Sequence, residues 1–117
     1  MAPSNRVNRW TMAETALQDL EMARENLIAD LDQRLEVARD ALLRANMLED
    51  RVRGTPVHTQ VLEQISTMYD EMETAETDAE TQLARLDEEI ELAEFEAQAA
   101  FAELTGADRD SLVLQQT

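Results

Sequence analysis

The chain contains 117 residues, of which 44% are apolar, 31% are charged and only 3% are aromatic. With so few large side chains, two glycines and two prolines, we expect neither a compact globular core nor a turn-rich β fold. The lack of cysteine excludes disulfides and thiolate metal sites, and a net charge of −16 argues against direct nucleic-acid binding. No apolar run approaches the roughly 20 residues that span a bilayer, so we expect no membrane insertion.

The first ten residues lack a helical pattern and carry two arginines without an acid. We interpret residues 1–10 as a basic N-terminal arm. It is expected to fold back over the end of the second long helix, where Arg6 and Arg9 approach Glu103 and Glu96.

A first long helix is predicted over residues 11–53 or so. Thr11 and Glu14 have the spacing of a capping box, in which each side chain accepts a backbone N–H of the other residue. An apolar stripe follows at three- and four-residue intervals, with one shift of phase before Ile28 that indicates a stutter in the heptad pattern. The stripe consists of Leu17, Leu20, Leu27, Ile28, Leu31, Leu35, Ala38, Leu42, Ala45, Leu48 and Val52.

The strongest break in the chain is Arg53-Gly54-Thr55-Pro56. Gly54 suits the left-handed position that ends a helix, Thr55 can cap the next helix, and Pro56 fits its first turn. So short a connection predicts two antiparallel helices in which residue i lies opposite approximately residue 109 − i.

A second long helix is predicted over residues 56–105 or so, ending at the C-cap signal Thr105-Gly106. Its apolar residues form a coiled-coil seam with one extra residue inserted between Ala75 and Leu83. The seam consists of Val61, Ile65, Met68, Met72, Ala75, Ala79, Leu83, Leu86, Ile90, Ala93, Ala97, Ala100 and Leu104. The fold predicted is all-α: a long two-helix antiparallel coiled-coil hairpin, packed into an oligomeric bundle.

The last twelve residues, 106–117, form a short C-terminal tail whose Leu112 and Leu114 are apolar. The tail is too short for a stable isolated helix. It either docks on the hairpin or on a neighbouring molecule, or it frays.

The chain lacks the side-chain combinations that usually carry catalysis or bind a metal. The single histidine, His58, follows the turn and is interpreted as solvated. The acidic stretch 70–96 contains no Glu-x-x-His pair of a di-iron bundle, and the tail lacks a complete calcium-loop pattern. We therefore expect no enzyme activity, no cofactor and no metal site, and a metal-binding carboxylate bundle is the least favoured alternative.

More apolar surface is present than two paired helices can cover. A second stripe runs beside the seam of the second helix, and Trp10 is expected to cluster with both phenylalanines. The residues assigned to a partner interface are Trp10, Leu62, Tyr69, Leu92, Phe95, Ala99, Phe101, Ala102, Leu112 and Leu114. The folded-back arm and tail, a second copy of the chain, or a different protein could cover them.

The function predicted is that of a non-enzymatic structural or assembly protein of virion, secretion or scaffold type, acting through protein contacts in a homo-oligomer or multi-subunit complex. The alternative is an acidic inhibitor or adaptor that binds a basic, nucleic-acid-binding surface of a target. It is suggested by the fourteen acids and single arginine, Arg85, within residues 56–105. A soluble protein is expected, either cytoplasmic or part of an assembly such as a virion.

Overall fold

A computed structural model describes residues 4–116 and the side chains of residues 4–113. It contains three helices: α1, Asn5–Val52; α2, His58–Ala102; and α3, Gly106–Gln116. No strand occurs within the described residues. The predicted all-α hairpin, with two long helices packed against each other, is confirmed.

The chain divides into two compact units. The turn unit is Glu25–Leu83, and the terminal unit combines Met1–Arg24 with Ala84–Thr117. In each unit a segment of α1 packs against a segment of α2. In the terminal unit, Arg24 pairs with Asp87 at 2.7 Å, which is two residues from the partner that the turn predicted.

The seam of α2 is confirmed residue by residue. Each of its thirteen predicted members is buried or half-buried, the last of them, Leu104, lying two residues beyond the end of α2. Every other residue of α2 except His58 is exposed. Three of the five buried apolar residues described in the terminal unit are alanines, namely Ala93, Ala97 and Ala100. Small seam residues allow the two helix backbones to approach closely, because interaxial distance depends on the side chains at the contact.

The stripe of α1 is confirmed with one exception. Leu35 and Leu42 are buried, but Leu48 is 44% exposed and Glu49 occupies the neighbouring seam position. Glu49 is accommodated there because its carboxylate binds two basic partners next to the turn. Further along the turn unit, Leu31 and Ala79 line the same small cavity, so the stutters of the two helices face each other.

The turn follows the prediction at Gly54, whose φ of +80° lies in the left-handed region. Thr55 does not cap α2 as expected. Its backbone N–H and its hydroxyl both donate to the carbonyl oxygen of Val52, so it satisfies the end of α1 instead. The second helix begins at His58, two residues beyond Pro56.

At the amino end, α1 begins six residues before the predicted start. Ser4 caps the helix, because its hydroxyl accepts the backbone N–H of Val7 at 3.2 Å. Val7 is buried and extends the seam, which explains why the helix continues through the arm. Thr11 lies inside α1, where its carbonyl accepts the hydroxyl of Thr15. Residues 1–3 lie outside the described residues.

At the carboxyl end, Thr105-Gly106 was predicted to end the second helix, but these residues lie at the start of a third helix. The second helix ends at Ala102, and Gly106 is the first residue of α3 with no left-handed conformation. The tail is therefore helical over most of its length, and its docked position is set by the cluster described next.

Candidate protein-contact site

Thr105 and Asp108 form a reciprocal capping box at the start of α3. The Asp108 backbone N–H donates to the Thr105 hydroxyl at 3.2 Å, and the Thr105 backbone N–H donates to the Asp108 carboxylate at 3.0 Å. Two of the orphan N–H groups of the helix terminus are thereby satisfied. The sequence signal was present as Thr-x-x-Asp, but the following glycine favoured a C-cap interpretation.

Asp108 also binds the amino end of α1. Its carboxylate accepts the Ser4 hydroxyl at 2.9 Å and the Arg6 Nε–H at 3.0 Å. The backbone N–H of Thr105, followed by Arg6, holds the pKa of this buried carboxyl well below its usual range. We call Ser4, Arg6, Thr105 and Asp108 the Asp108 cluster. It connects the start of α1 to the start of α3, and both carboxylate oxygens of Asp108 accept hydrogen bonds within it.

The predicted arm contacts exist with shifted partners. Arg9 pairs with Glu103 at 2.8 Å, and Arg6 pairs with Asp108 of the tail. Glu96 lines the same groove as Arg9, but Arg9 pairs with Glu103, which follows the end of α2 at Ala102. The offset arises because the arm is helical and carries its two arginines at the fixed rise of an α-helix.

The aromatic cluster contains two of the three expected rings. Trp10 and Phe101 lie 5.9 Å apart between ring centroids and are tilted by 53°. Arg109 of α3 lies 4.8 Å above the Phe101 ring, within the range of a cation–π contact. Phe95 is 71% exposed and lies outside this cluster, which corrects the expectation that both phenylalanines join Trp10.

Phe95 lies instead beside a surface groove between α1 and α2 in the terminal unit. We call this the terminal groove; its lining residues are Arg9, Met12, Ala13, Ala16, Phe95, Glu96, Ala99, Ala100 and Glu103. Leu92, one turn from Phe95, is likewise exposed. The predicted interface residues Leu92, Phe95 and Ala99 are therefore brought together and left uncovered by the described part of the chain.

On the α1 side of the terminal groove, Arg9 was predicted as an arm contact, but Met12, Ala13 and Ala16 were not predicted. Met12 is 73% exposed, and Ala16 lies four residues further along the same helix face. Their spacing was a usable signal, but Met12 lies between Thr11 and Glu14, which were predicted to cap a helix start where the structure has the interior of α1.

The other predicted interface residues do not join the groove. Ala102 is exposed, and Leu112 in α3 is half-buried. Leu114 falls within α3, but its side chain lies outside the described residues. In the turn unit, Leu62 and Tyr69 are exposed and line none of its grooves that we describe.

The turn unit has its own apolar groove and an ionic cluster. Val37, Ala41, Met68 and Met72 are among the residues that line the groove. In the cluster, Glu49 accepts hydrogen bonds from Arg53 at 3.1 Å and lies 2.8 Å from His58 Nε2.

His58 is therefore half-buried and partnered, unlike the solvated residue expected. Arg53, followed by His58, lowers the pKa of Glu49 to about 2.

Within the described residues, no group of three or more histidine, cysteine or acidic side chains is arranged to hold a metal ion. None of the described helices is both long and apolar enough to cross a membrane. Comparison of the chain with protein-family models, with curated proteins and with solved structures gave no match.

Proposed function

We propose that the protein is a non-enzymatic assembly protein, a helical-hairpin subunit that makes protein–protein contacts in a multi-subunit complex through its terminal unit. The observation that carries this proposal is the terminal groove, where Met12 and Phe95 expose large apolar side chains. Leu92, exposed one turn before Phe95 on α2, extends this apolar surface beyond the groove. Contiguous exposed apolar surface rimmed by polar residues is typical of interaction sites.

The helical arm and tail support the same proposal. The Asp108 cluster holds α3 against the start of α1, and Arg109 covers Phe101. The arm and α3 contact Phe101 through Trp10 and Arg109, but they leave Phe95 exposed. An outside protein or a second copy is therefore needed to cover the groove.

A second candidate function is an acidic inhibitor or adaptor that binds a basic surface of a target protein. It is favoured by the charge of α2, in which Arg85 is the single basic residue apart from His58. Such binding would weaken steeply with salt, because exposed charges are screened over a Debye length of about 10 Å at 0.1 M.

Photocrosslinking in cells that produce the protein tests the assembly role. A photoreactive phenylalanine analogue replaces Phe95 in one variant and the exposed Thr74 of the turn unit in a control. The proposal expects protein adducts from position 95, whether to another copy or to a different protein, and far fewer from position 74. Equal, background-level crosslinking at both positions would remove the assembly role.

A further inference from the structure

We infer that the terminal groove binds a basic amphipathic helix of a partner protein. The inference rests on the proposed function and specifies its partner. Helix-in-groove recognition uses large apolar residues at helical spacing, with flanking side chains that match the charge of the groove rim.

The shape of the groove suits a helix. Ala13, Ala16 and Ala99 provide small side chains along its length, while Met12 and Phe95 stand at its sides as large exposed ones. Small side chains at a contact permit short interaxial distances, so a third helix can pack close to α1 and α2. From Phe95 on α2 to Glu103, just beyond the end of that helix, the groove extends roughly 12 Å, which is about two helical turns.

The charge of the rim specifies the flanks of that helix. Glu96 and Glu103 line the groove, and its only cation, Arg9, is already paired with Glu103. Exposed Glu88 and Glu91 each precede an exposed apolar residue, Leu92 or Phe95, by one turn and extend the acidic rim. Lysine or arginine beside the apolar stripe of the partner would be attracted, whereas acids would be repelled.

The same charges disfavour a second copy as the occupant. In a twofold dimer across this groove, each patch contacts its own equivalent, so the acidic rims would face each other. Arg9, the one cation among the residues that are described as lining the groove, is engaged with Glu103. The chain's own α3 is held on the Asp108 cluster and on Phe101, and Phe95 remains 71% exposed.

Calorimetric titration with synthetic helical peptides of about 18 residues tests the inference, since shorter isolated helices are marginal in water. One peptide carries a leucine stripe flanked by lysine and arginine. A second keeps the stripe but has glutamate flanks, and a third scrambles the basic sequence so that no stripe remains. Each is titrated into the full chain, with methyl NMR of Met12 and Ala16 to locate binding.

We expect the basic striped peptide to bind, to shift the Met12 and Ala16 signals, and to bind at least tenfold more tightly than either comparison peptide. Phe95→Glu should weaken its binding at least tenfold, whereas Tyr69→Glu, at an exposed aromatic residue of the turn unit, should leave it unchanged. Because Phe95 lies outside the seam, its variant should keep the circular dichroism spectrum of the wild type. Met12→Glu provides an independent second variant.

If the scrambled peptide bound as tightly as the basic striped peptide, general charge attraction would explain the binding, and the inference would be overturned. Absence of binding, or a dimer of the chain that Phe95→Glu abolishes, would also overturn it. In either case, protein crosslinks from position 95 in cells would leave the assembly role standing. Loss of those crosslinks as well would remove both proposals.

Discussion

Asp108 accepts a hydrogen bond at 2.9 Å from the hydroxyl of Ser4, so the residue that caps α1 is bound to the residue that completes the cap of α3. The two residues are separated by almost the whole chain. One carboxylate therefore ties both chain ends into the terminal unit and leaves the groove on α1 and α2 as its uncovered apolar surface.

Replacing Asp108 should release α3. Asp108→Asn weakens the capping box and the contact with Arg6, and we expect a loss of helical signal at 222 nm corresponding to as many as the eleven residues of α3. Asp110→Asn, an exposed change in the same helix, is the control and should have little effect. An unchanged spectrum for Asp108→Asn would show that α3 is held by other contacts.

The cap itself can be weakened without removing a charge. Thr105→Ala removes the hydroxyl that accepts the Asp108 N–H, and a lost threonine cap costs about 1 kcal/mol. Urea unfolding followed by Trp10 fluorescence measures this free energy near the affected site. A loss indistinguishable from zero would argue that water replaces the hydroxyl fully.

Glu49 should make stability depend on pH in the acid range. Its pKa is about 2 in the folded chain against an ordinary 4.5, so its ion pairs contribute stability above about pH 4.5 that is lost as pH falls toward 2. The difference in Tm between wild type and Glu49→Gln should therefore be present at pH 6 and shrink toward zero near pH 2. A difference that stays constant across this range would contradict the assigned ion pairs.

The two glycines should respond in opposite directions to alanine. Gly54 has a φ of +80° with open space around its Cα, so Gly54→Ala should cost about 1 kcal/mol through backbone conformation alone. Gly106 has ordinary helical geometry and equally open space, so Gly106→Ala should be neutral or stabilise by up to about 1 kcal/mol. Equal effects in thermal unfolding would contradict the assigned turn geometry.

Two adjacent leucines of α1 allow a buried seam position to be compared with an exposed surface position. Leu42 is buried and Leu43 is exposed. Leu42→Ala should cost about 2 to 3 kcal/mol of unfolding free energy, whereas Leu43→Ala should change it by less than about 0.5 kcal/mol. Chemical denaturation of both variants provides the comparison, and similar values for the two would show that the seam is not the main apolar core.

Periodicity predicted the long helices well because the seam is a local property of the sequence. The inserted residue between Ala75 and Leu83 was correctly located, and it lies opposite the stutter of α1. The start of α1 was harder to predict, because both Thr11 and Ser4 have side chains that can cap a helix. Thr11 offered a complete capping box, while Ser4 offered only a hydroxyl, and burial of Val7 decided in favour of Ser4.

Apart from Arg9, the candidate site was predicted only on its α2 side. Leu92, Phe95 and Ala99 followed from a second stripe beside a regular seam, whereas Met12 and Ala16 required the correct start of α1. The box of Thr105 and Asp108 had a local signal, but Asp108 contacts Ser4 and Arg6 across about a hundred positions, so no local pattern could reveal those contacts. Phe95 and Phe101 are six residues apart on α2, so their directions differ by about 120° around the helix axis, and only Phe101 meets Trp10.

Oxidative footprinting of two methionines tests the central claim most directly. Met12 borders the terminal groove and is 73% exposed, while Met47 in the turn unit is 54% exposed. In the purified chain, hydroxyl radicals should oxidise both readily. In the native assembly, isolated from cells that produce the protein, we predict strong protection of Met12 and little change at Met47. Equal reactivity of Met12 in the purified and native states would contradict the assignment of the groove as a protein-contact site.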